Sequence, residues 1–406
     1  MANNSEHLIF EDDSFNSIED QTYRIYIMNI VIAPDSFKEC LSAKEVAANI
    51  AIGIRKVSPT AKIQEIPISD GGEGVLEAIL NGVGGKRLSV LVMDPLMRPI
   101  KAEYGILSDN TTAVIEMAKA SGLELLKEYE KNPLRTTTFG TGQIIKDALD
   151  QGCIKIIIGI GGSATNDGGA GMVRALGAKF LNEDGEEIKE GGGNLNELYT
   201  IDLSNFDKRI QNCEVVVACD VSNPLTGVNG ASMVYGGQKG GSHQGLELLD
   251  NNLGHYARII KATLQLDISD IPGAGAAGGT GAGLMAFLKG HLVNGIGLVL
   301  ETLKIEEYIK QADVVITGEG KIDEQTLHGK TVSGIAAMAK EYGVPVIVVT
   351  GKIGDKIDGL YNIGVSSVYS IVNRPMELKE AIDRAPELIQ DCVKNLMATI
   401  KCFNGD

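Results

Sequence analysis

Residues 154–169 read Ile-Lys-Ile-Ile-Ile-Gly-Ile-Gly-Gly-Ser-Ala-Thr-Asn-Asp-Gly-Gly. The first seven, Ile154–Ile160, carry five isoleucines. A half-exposed strand would alternate apolar and polar residues; this run does not, and reads as a strand buried on both faces. Gly161–Gly169 then combines glycines with Ser163, Thr165, Asn166 and Asp167, and runs into a helical pattern at Met172–Leu176. Strand, Gly-rich turn and helix make the repeating unit of a parallel sheet. Its turn lies at the carboxyl end of the strand, where such sheets bind ligands.

The same unit recurs along the chain. Asn29–Ala33 leads into Pro34-Asp35-Ser36-Phe37-Lys38, and Ile63–Ile68 into Asp70-Gly71-Gly72-Glu73-Gly74. Val314–Thr317 leads into Gly318-Glu319-Gly320-Lys321-Ile322-Asp323; Val344–Thr350 and Val365–Ile371 complete the series. Ser42 with Glu45 three residues on predicts a capping box opening a helix. Residues 88–116 and 176–220 break the pattern with short strands and turns, more like antiparallel meanders. The expectation is an α/β fold in two domains, the second discontinuous. Residues 28–75, 134–172 and 275–406 form the parallel domain, 76–133 and 173–274 a mixed α/β domain, and 1–27 an acidic tail.

Composition narrows the function. Among 406 residues, 37 Lys+Arg against 53 Asp+Glu give a net charge of −16, and Trp is absent. Such a field repels phosphate backbones and anionic lipid, so neither nucleic acid nor membrane is an expected partner. Residues 1–27 hold −5 of that charge and lack the basic start and apolar core of a secretory signal. The six cysteines form no CxxC pair, which suits free thiols in a reducing cytoplasm. Fifty glycines, about 12% against a usual ~7%, show no collagen period and cluster in the loops.

The loops mix amides, carboxylates and lysines. Free backbone N–H groups at a helix start suit an anion, as in Gly161–Gly169 and in Gly273–Gly283, which contains Gly278-Gly279. Lys38, Lys239 and Lys321 are expected to contact phosphate, and Asp70, Glu73, Glu319 and Asp323 to lie on the Mg²⁺ side. Gly161, Gly162, Ser163, Asn166 and Asp167 are expected to hold a small anionic substrate or the transferring phosphate. Asp220, closing the apolar strand Val215–Cys219, is the expected general base, with Asp70 as runner-up. One Gly cluster alone is ordinary turn geometry; four at strand ends point to a site. The chain has no Walker A motif and no GxGxxG fingerprint, which disfavours an NAD-dependent dehydrogenase.

Seven stretches, in order, resemble the bacterial glycerate kinases of the glyoxylate and glucarate pathways. They are Ala33–Lys38, Asp70–Gly74, Gly159–Gly169, Ala218–Leu225, Gln238-Lys239-Gly240, Pro272–Gly279 and Thr317–Asp323. The likeness runs from Met28 to about Ala398 and departs from the pattern at Gly236-Gly237, where Gly-Pro is expected. It implies a Rossmann- or flavodoxin-like domain, a second α/β domain and an active site in the cleft between them. It further implies ATP- and Mg²⁺-dependent phosphorylation of (R)-glycerate, at the 2-hydroxyl, with the 3-hydroxyl as the alternative. Asp35, Ser36, Gln238, Gly278 and Gly279 join the binding set on this basis. A non-catalytic sensor of small carboxylates is the competing class, and a homodimer is left open.

Overall fold

A computed structural model describes residues 27–69, 74–327 and 330–404. The acidic tail, apart from Ile27, and the site candidates Asp70 and Glu73 lie outside the described residues. The strands are β1 (Asn29–Ile32), β2 (Lys62–Glu65), β3 (Gly85–Met93), β4 (Pro99–Leu107), β5 (Thr112–Glu116), β6 (Lys155–Gly159), β7 (Lys179–Leu181), β8 (Thr200–Asp202), β9 (Glu214–Ala218), β10 (His291–Val293), β11 (Val314–Ile322), β12 (Val346–Ile353) and β13 (Val365–Ser370).

One sheet is wholly parallel, in the order β13-β12-β11-β1-β2. The chain steps outward from β1 to β2, then resumes on the other side of β1 with β11. This is the flavodoxin-like order, and its ligand crevice lies where the direction reverses, between β1 and β11. The second sheet is mixed, in the order β10-β9-β6-β5-β4-β3, with β10, β9, β6 and β5 parallel and β4 and β3 antiparallel. β7 and β8 form a separate antiparallel pair.

The strand pairing corrects the expected assignment of 134–172 to the parallel sheet. β6 hydrogen-bonds β5 on one side and β9 on the other, so the apolar run at 154–160 sits in the mixed sheet. β10 follows β9 into the same sheet, which takes 291–293 with it. All six strands of that sheet therefore come from one uninterrupted stretch, 85–293, rather than from two insertions. A strand covered on both faces has the same sequence in either sheet, so its composition carries no record of its partner.

A second correction concerns Gly318–Asp323, expected as a loop. β11 continues through Ile322, pairing Gly318 with Val349 and Ile322 with Ile353. Gly318 permits this: a Cβ there would fall 1.9 Å from the Val349 carbonyl oxygen.

Three apolar layers hold the molecule together. The helices Ala43–Arg55 and Ala385–Asn404 cover the outer face of the parallel sheet through Val46, Ile50, Ile54, Leu388 and Val393. The predicted capping box is present: Ser42 Oγ accepts from the Glu45 amide and the Glu45 carboxylate from the Ser42 amide. Between the sheets, Leu76, Ile79, Val299 and Ile335 pack against Val31, Val315 and Val348 of the parallel sheet and Val114, Ile157 and Val216 of the mixed one. The outer face of the mixed sheet is covered through Ile144, Met172, Tyr256 and Leu284. Among the described residues, no helix is long and apolar enough to cross a membrane.

Candidate active site

The site begins at the β1–β11 reversal. The Asp35 amide donates to the Gly318 carbonyl at 2.8 Å, tying the end of β1 to its neighbour. The Asp35 carboxylate accepts from the Ser36 amide at 2.6 Å and from Thr331 Oγ1 at 2.7 Å. Phe37 is buried and exchanges backbone hydrogen bonds with Leu41, which throws Lys38 outward into solvent. Lys38 has no carboxylate partner among the described residues. A cavity of about 590 Å³ opens here, lined by Asp35, Ser36, Lys38, Gly74, Glu77 and Glu124.

A second cavity, of about 450 Å³, shares Lys38 and reaches the mixed sheet. Gly161, Gly162 and Ser163 after β6, Asp220 after β9, and Gln238 and Lys239 line it. The predicted Gly-rich turn thus reaches the cleft at its first three residues. Gly162 has φ +69, and a Cβ there would meet only Ala118, at 3.3 Å. The Gly161 and Gly162 amides donate to no acceptor among the described residues, while the Gly162 carbonyl accepts from Leu123 at 2.9 Å. Two exposed amides on a strand-to-helix turn are what an anionic oxygen requires. Asp220 is anchored through Oδ1, which accepts from Asn294 Nδ2 at 2.7 Å and from the Gly295 amide at 2.8 Å. A third cavity, about 620 Å³, shares Gly161, Gly162 and Leu123 with the second and Glu124 with the first, and adds Lys101 and Lys119, so the three cavities adjoin.

Other expected residues stand behind this surface. Asn166 is fully buried and donates to Ser232 Oγ at 2.9 Å. Asp167 is buried beside the start of the Ala170–Ala175 helix, accepting from the Thr138 amide and hydroxyl and from the Gly169 and Gly171 amides. Burial pushes its pKa up, against the pull of those donors. Gly278 and Gly279 are buried at a kink in the Ala276–Leu288 helix. The Gly168 amide donates to the Gly278 carbonyl at 3.0 Å, so this pair braces the Gly-rich turn from behind. Ala276 and Ala277 line the cavity in their place. Lys321 and Asp323 pair with each other at 2.6 Å on the β11 extension, outside the three cavities. Glu319 accepts from Thr326 Oγ1 at 2.7 Å and faces Lys330 at 3.7 Å.

Leu123, Glu124 and Tyr235 line the cleft without having been expected there. Leu123 and Glu124 lie in a segment with neither a Gly cluster nor an apolar strand beside it, while Tyr235 directly precedes Gly236-Gly237, a signal that could have drawn attention to it. Glu116, at the end of β5, is buried and accepts from the Leu76 amide at 3.0 Å. That contact fixes the start of the Val75–Val83 helix immediately after residues 70–73.

The donor set fits a nucleotide triphosphate with a hard cation. The exposed amides and unpaired Lys38 suit phosphate oxygens, and Asp35, Glu77 and Glu124 offer carboxylates to the 590 Å³ cavity. Among the described residues, no three His, Cys, Asp or Glu side chains cluster to cage a metal. Mg²⁺ does not need a cage, since it keeps waters and phosphate oxygens and takes one or two carboxylates.

Two sheets meeting at a cleft with open amides, a lysine that has no carboxylate partner among the described residues and a strand-end carboxylate suit an α/β enzyme that holds anions between its halves. Residues 30–401 match the model of the Glycerate kinase family, and the chain belongs to that family. It is 50% identical to the glycerate 2-kinase of Escherichia coli K12 over 373 residues, covering 92% of this chain and 98% of that one. Against the glycerate kinase of Halalkalibacterium halodurans it is 49% identical over 375 residues, again 92% and 98% of the two chains. A solved structure from Salmonella typhimurium LT2, described as a candidate glycerate kinase 2, superposes with a TM-score of 0.86 at 46% identity, covering 93% of this chain and 100% of that one.

Proposed function

We propose that the cleft transfers the γ-phosphoryl group of ATP to the 2-hydroxyl of (R)-glycerate, giving 2-phosphoglycerate and ADP. One observation carries this reading: Lys38 from the parallel sheet and Gly161, Gly162 and Asp220 from the mixed sheet line a single cavity of about 450 Å³. The naming of the E. coli relative supports the 2-position. The six unbonded cysteines support a cytoplasmic enzyme.

The roles follow from chemistry and position. Phosphoryl transfer asks the protein mainly to align the two substrates and offset charge. The Gly161 and Gly162 amides and Lys38 hold anionic oxygens. Asp220, held rigid by Asn294 and Gly295, takes the hydroxyl proton as the hydroxyl oxygen bonds to phosphorus. The bridging P–O bond then breaks and ADP leaves with the bridging oxygen. Asp35, Glu77 and Glu124 are the described carboxylates that would hold an Mg²⁺ ion, directly or through water, and the ion would supply neutralisation of phosphate charge. Glu73, with Asp70 three residues before it, precedes in sequence Gly74, which lines the same cavity.

A coupled ADP-release assay with (R)-glycerate and Mg·ATP tests the proposal. Coupling the product directly to enolase separates the isomers, since only 2-phosphoglycerate is consumed. Glycerate-dependent ADP release without enolase turnover moves the acceptor to the 3-hydroxyl. Glycerate binding with no ADP release makes the chain a sensor and overturns the kinase reading.

A further inference from the structure

Lys239 was expected as a phosphate contact, but the residue is 2% exposed and its side chain is committed to other partners. Its Nζ donates to Ser163 Oγ at 2.8 Å and to the Thr165 carbonyl at 2.7 Å, directly beneath the exposed Gly161-Gly162 turn. The backbone of Ala164 has its own anchors, donating to the Ser121 carbonyl and accepting from Thr136 Oγ1. Thr165 Oγ1 and Asn166 Oδ1 are buried without a hydrogen-bond partner. Lys239 thus holds two points of this turn, the side chain of Ser163 and the carbonyl of Thr165. The lysine is itself fixed, because the next residue, Gly240 (φ +87), packs so tightly that a Cβ would come within 2.4 Å of the Lys131 carbonyl oxygen.

We propose that Lys239 is a positioning residue. Its ammonium pins Ser163 and Thr165 and puts a positive charge next to the Gly161-Gly162 turn, so the turn holds an anionic substrate group only while that cation is in place. The inference rests on the kinase reading and adds to it a nearly buried cation in the wall of the cavity. The charged group acting on Lys239 is Asp167, which shares Thr137 Oγ1 with Glu190, itself paired with Arg174. Lys38 and Asp220 line the same cavity, and the Lys131 ammonium is turned away to Glu128. Burial drives Lys239 down to about 7 against the opposing pull of Asp167, which places loss of its charge within the neutral-to-alkaline range.

The test uses the full-length chain as wild type, Lys239→Met, Lys239→Arg and Ser163→Ala, with kcat/KM for glycerate measured from pH 6 to 9.5. Lys239→Met is expected to lose at least tenfold in kcat/KM, mostly through KM, with Lys239→Arg recovering most of it. Wild type is expected to show an alkaline fall in kcat/KM. That fall moves to higher pH in Lys239→Arg, which keeps its charge, and to lower pH in Ser163→Ala, which removes an acceptor from the charged form. A wild-type KM in Lys239→Met, or an alkaline limb unmoved in both other variants, overturns the proposal. A second readout needs no turnover. A lysine neutral near pH 8 in the native state and charged when unfolded makes unfolding take up about one extra proton. Lys239→Met should abolish that uptake, and an unchanged uptake also overturns the inference. Wild type lacking glycerate-dependent ADP release while showing the uptake would sink the kinase reading alone.

Discussion

Gly278→Ala separates two readings of the glycine-rich stretch 273–283: a ligand-contacting loop, or a brace. The Gly278 backbone has φ +69, a conformation that costs an L-residue about 1 kcal/mol or more. The new Cβ would lie 1.9 Å from the Thr165 carbonyl oxygen and 2.7 Å from Asn166 Cα, both backbone atoms of the buried turn. Neither can rotate away, so one segment must shift by about an ångström, an overpacking cost of roughly 1–3 kcal/mol. The shift also strains the Gly168-to-Gly278 hydrogen bond, worth about 1 kcal/mol. The expected loss is roughly 3–5 kcal/mol of folding stability. The chain has no tryptophan, so urea unfolding is followed by far-ultraviolet circular dichroism. A wild-type unfolding midpoint together with a raised KM would show that Gly278 meets the ligand, and the brace argument would be wrong.

Three further substitutions probe the cleft and its support. Asp220→Asn keeps an acceptor for Asn294 and Gly295 but cannot take a proton, so kcat should fall at least a hundredfold with little change in melting; a loss under tenfold moves the base elsewhere, Asp70 first. Lys38→Ala removes an exposed cation with no carboxylate partner among the described residues, so it should depress turnover at least tenfold and leave stability within about 0.5 kcal/mol; full activity removes it from the site. Asp167→Asn turns an acceptor of buried amides and hydroxyls partly into a donor, for an expected loss of roughly 2–4 kcal/mol in urea unfolding; an unaltered midpoint would mean that these bonds contribute nothing.

The parallel sheet was legible at its inner strands β1, β11 and β12, whose runs buried on both faces must be apolar, while the edge strands β2 and β13 are more exposed and polar. Sheet membership was not legible, as β6 shows, because pairing is decided by partners 40 or more residues away. The turn after β6 was legible as a Gly-rich strand-to-helix turn suited to the proposed anion site, yet its depth was not. Gly161 and Gly162 face the cleft while Asn166 and Asp167, only a few residues on, turn beneath it. A glycine that opens room for a ligand and one that opens room for another backbone leave the same mark in a sequence, which is why Gly278 and Gly279 read as a second anion loop. Lys239 was found by its place beside Gln238, but nothing local says that a lysine will be buried.

The insertion of the mixed sheet between β2 and β11 also governs how the chain is made. Ile30 of β1 pairs with Val314 of β11. At a synthesis rate of about 5–20 residues per second, β1 waits roughly 15–60 s after leaving the ribosome before that partner exists. Residues 85–293 emerge meanwhile with all six strands of their own sheet. The mixed sheet can therefore close first, while β1 and the polar edge strand β2 stay on the nascent chain as a two-stranded ribbon whose apolar β1 edge is still unpaired. That ribbon is where a chaperone would find its purchase, and where two nascent chains would first stick together.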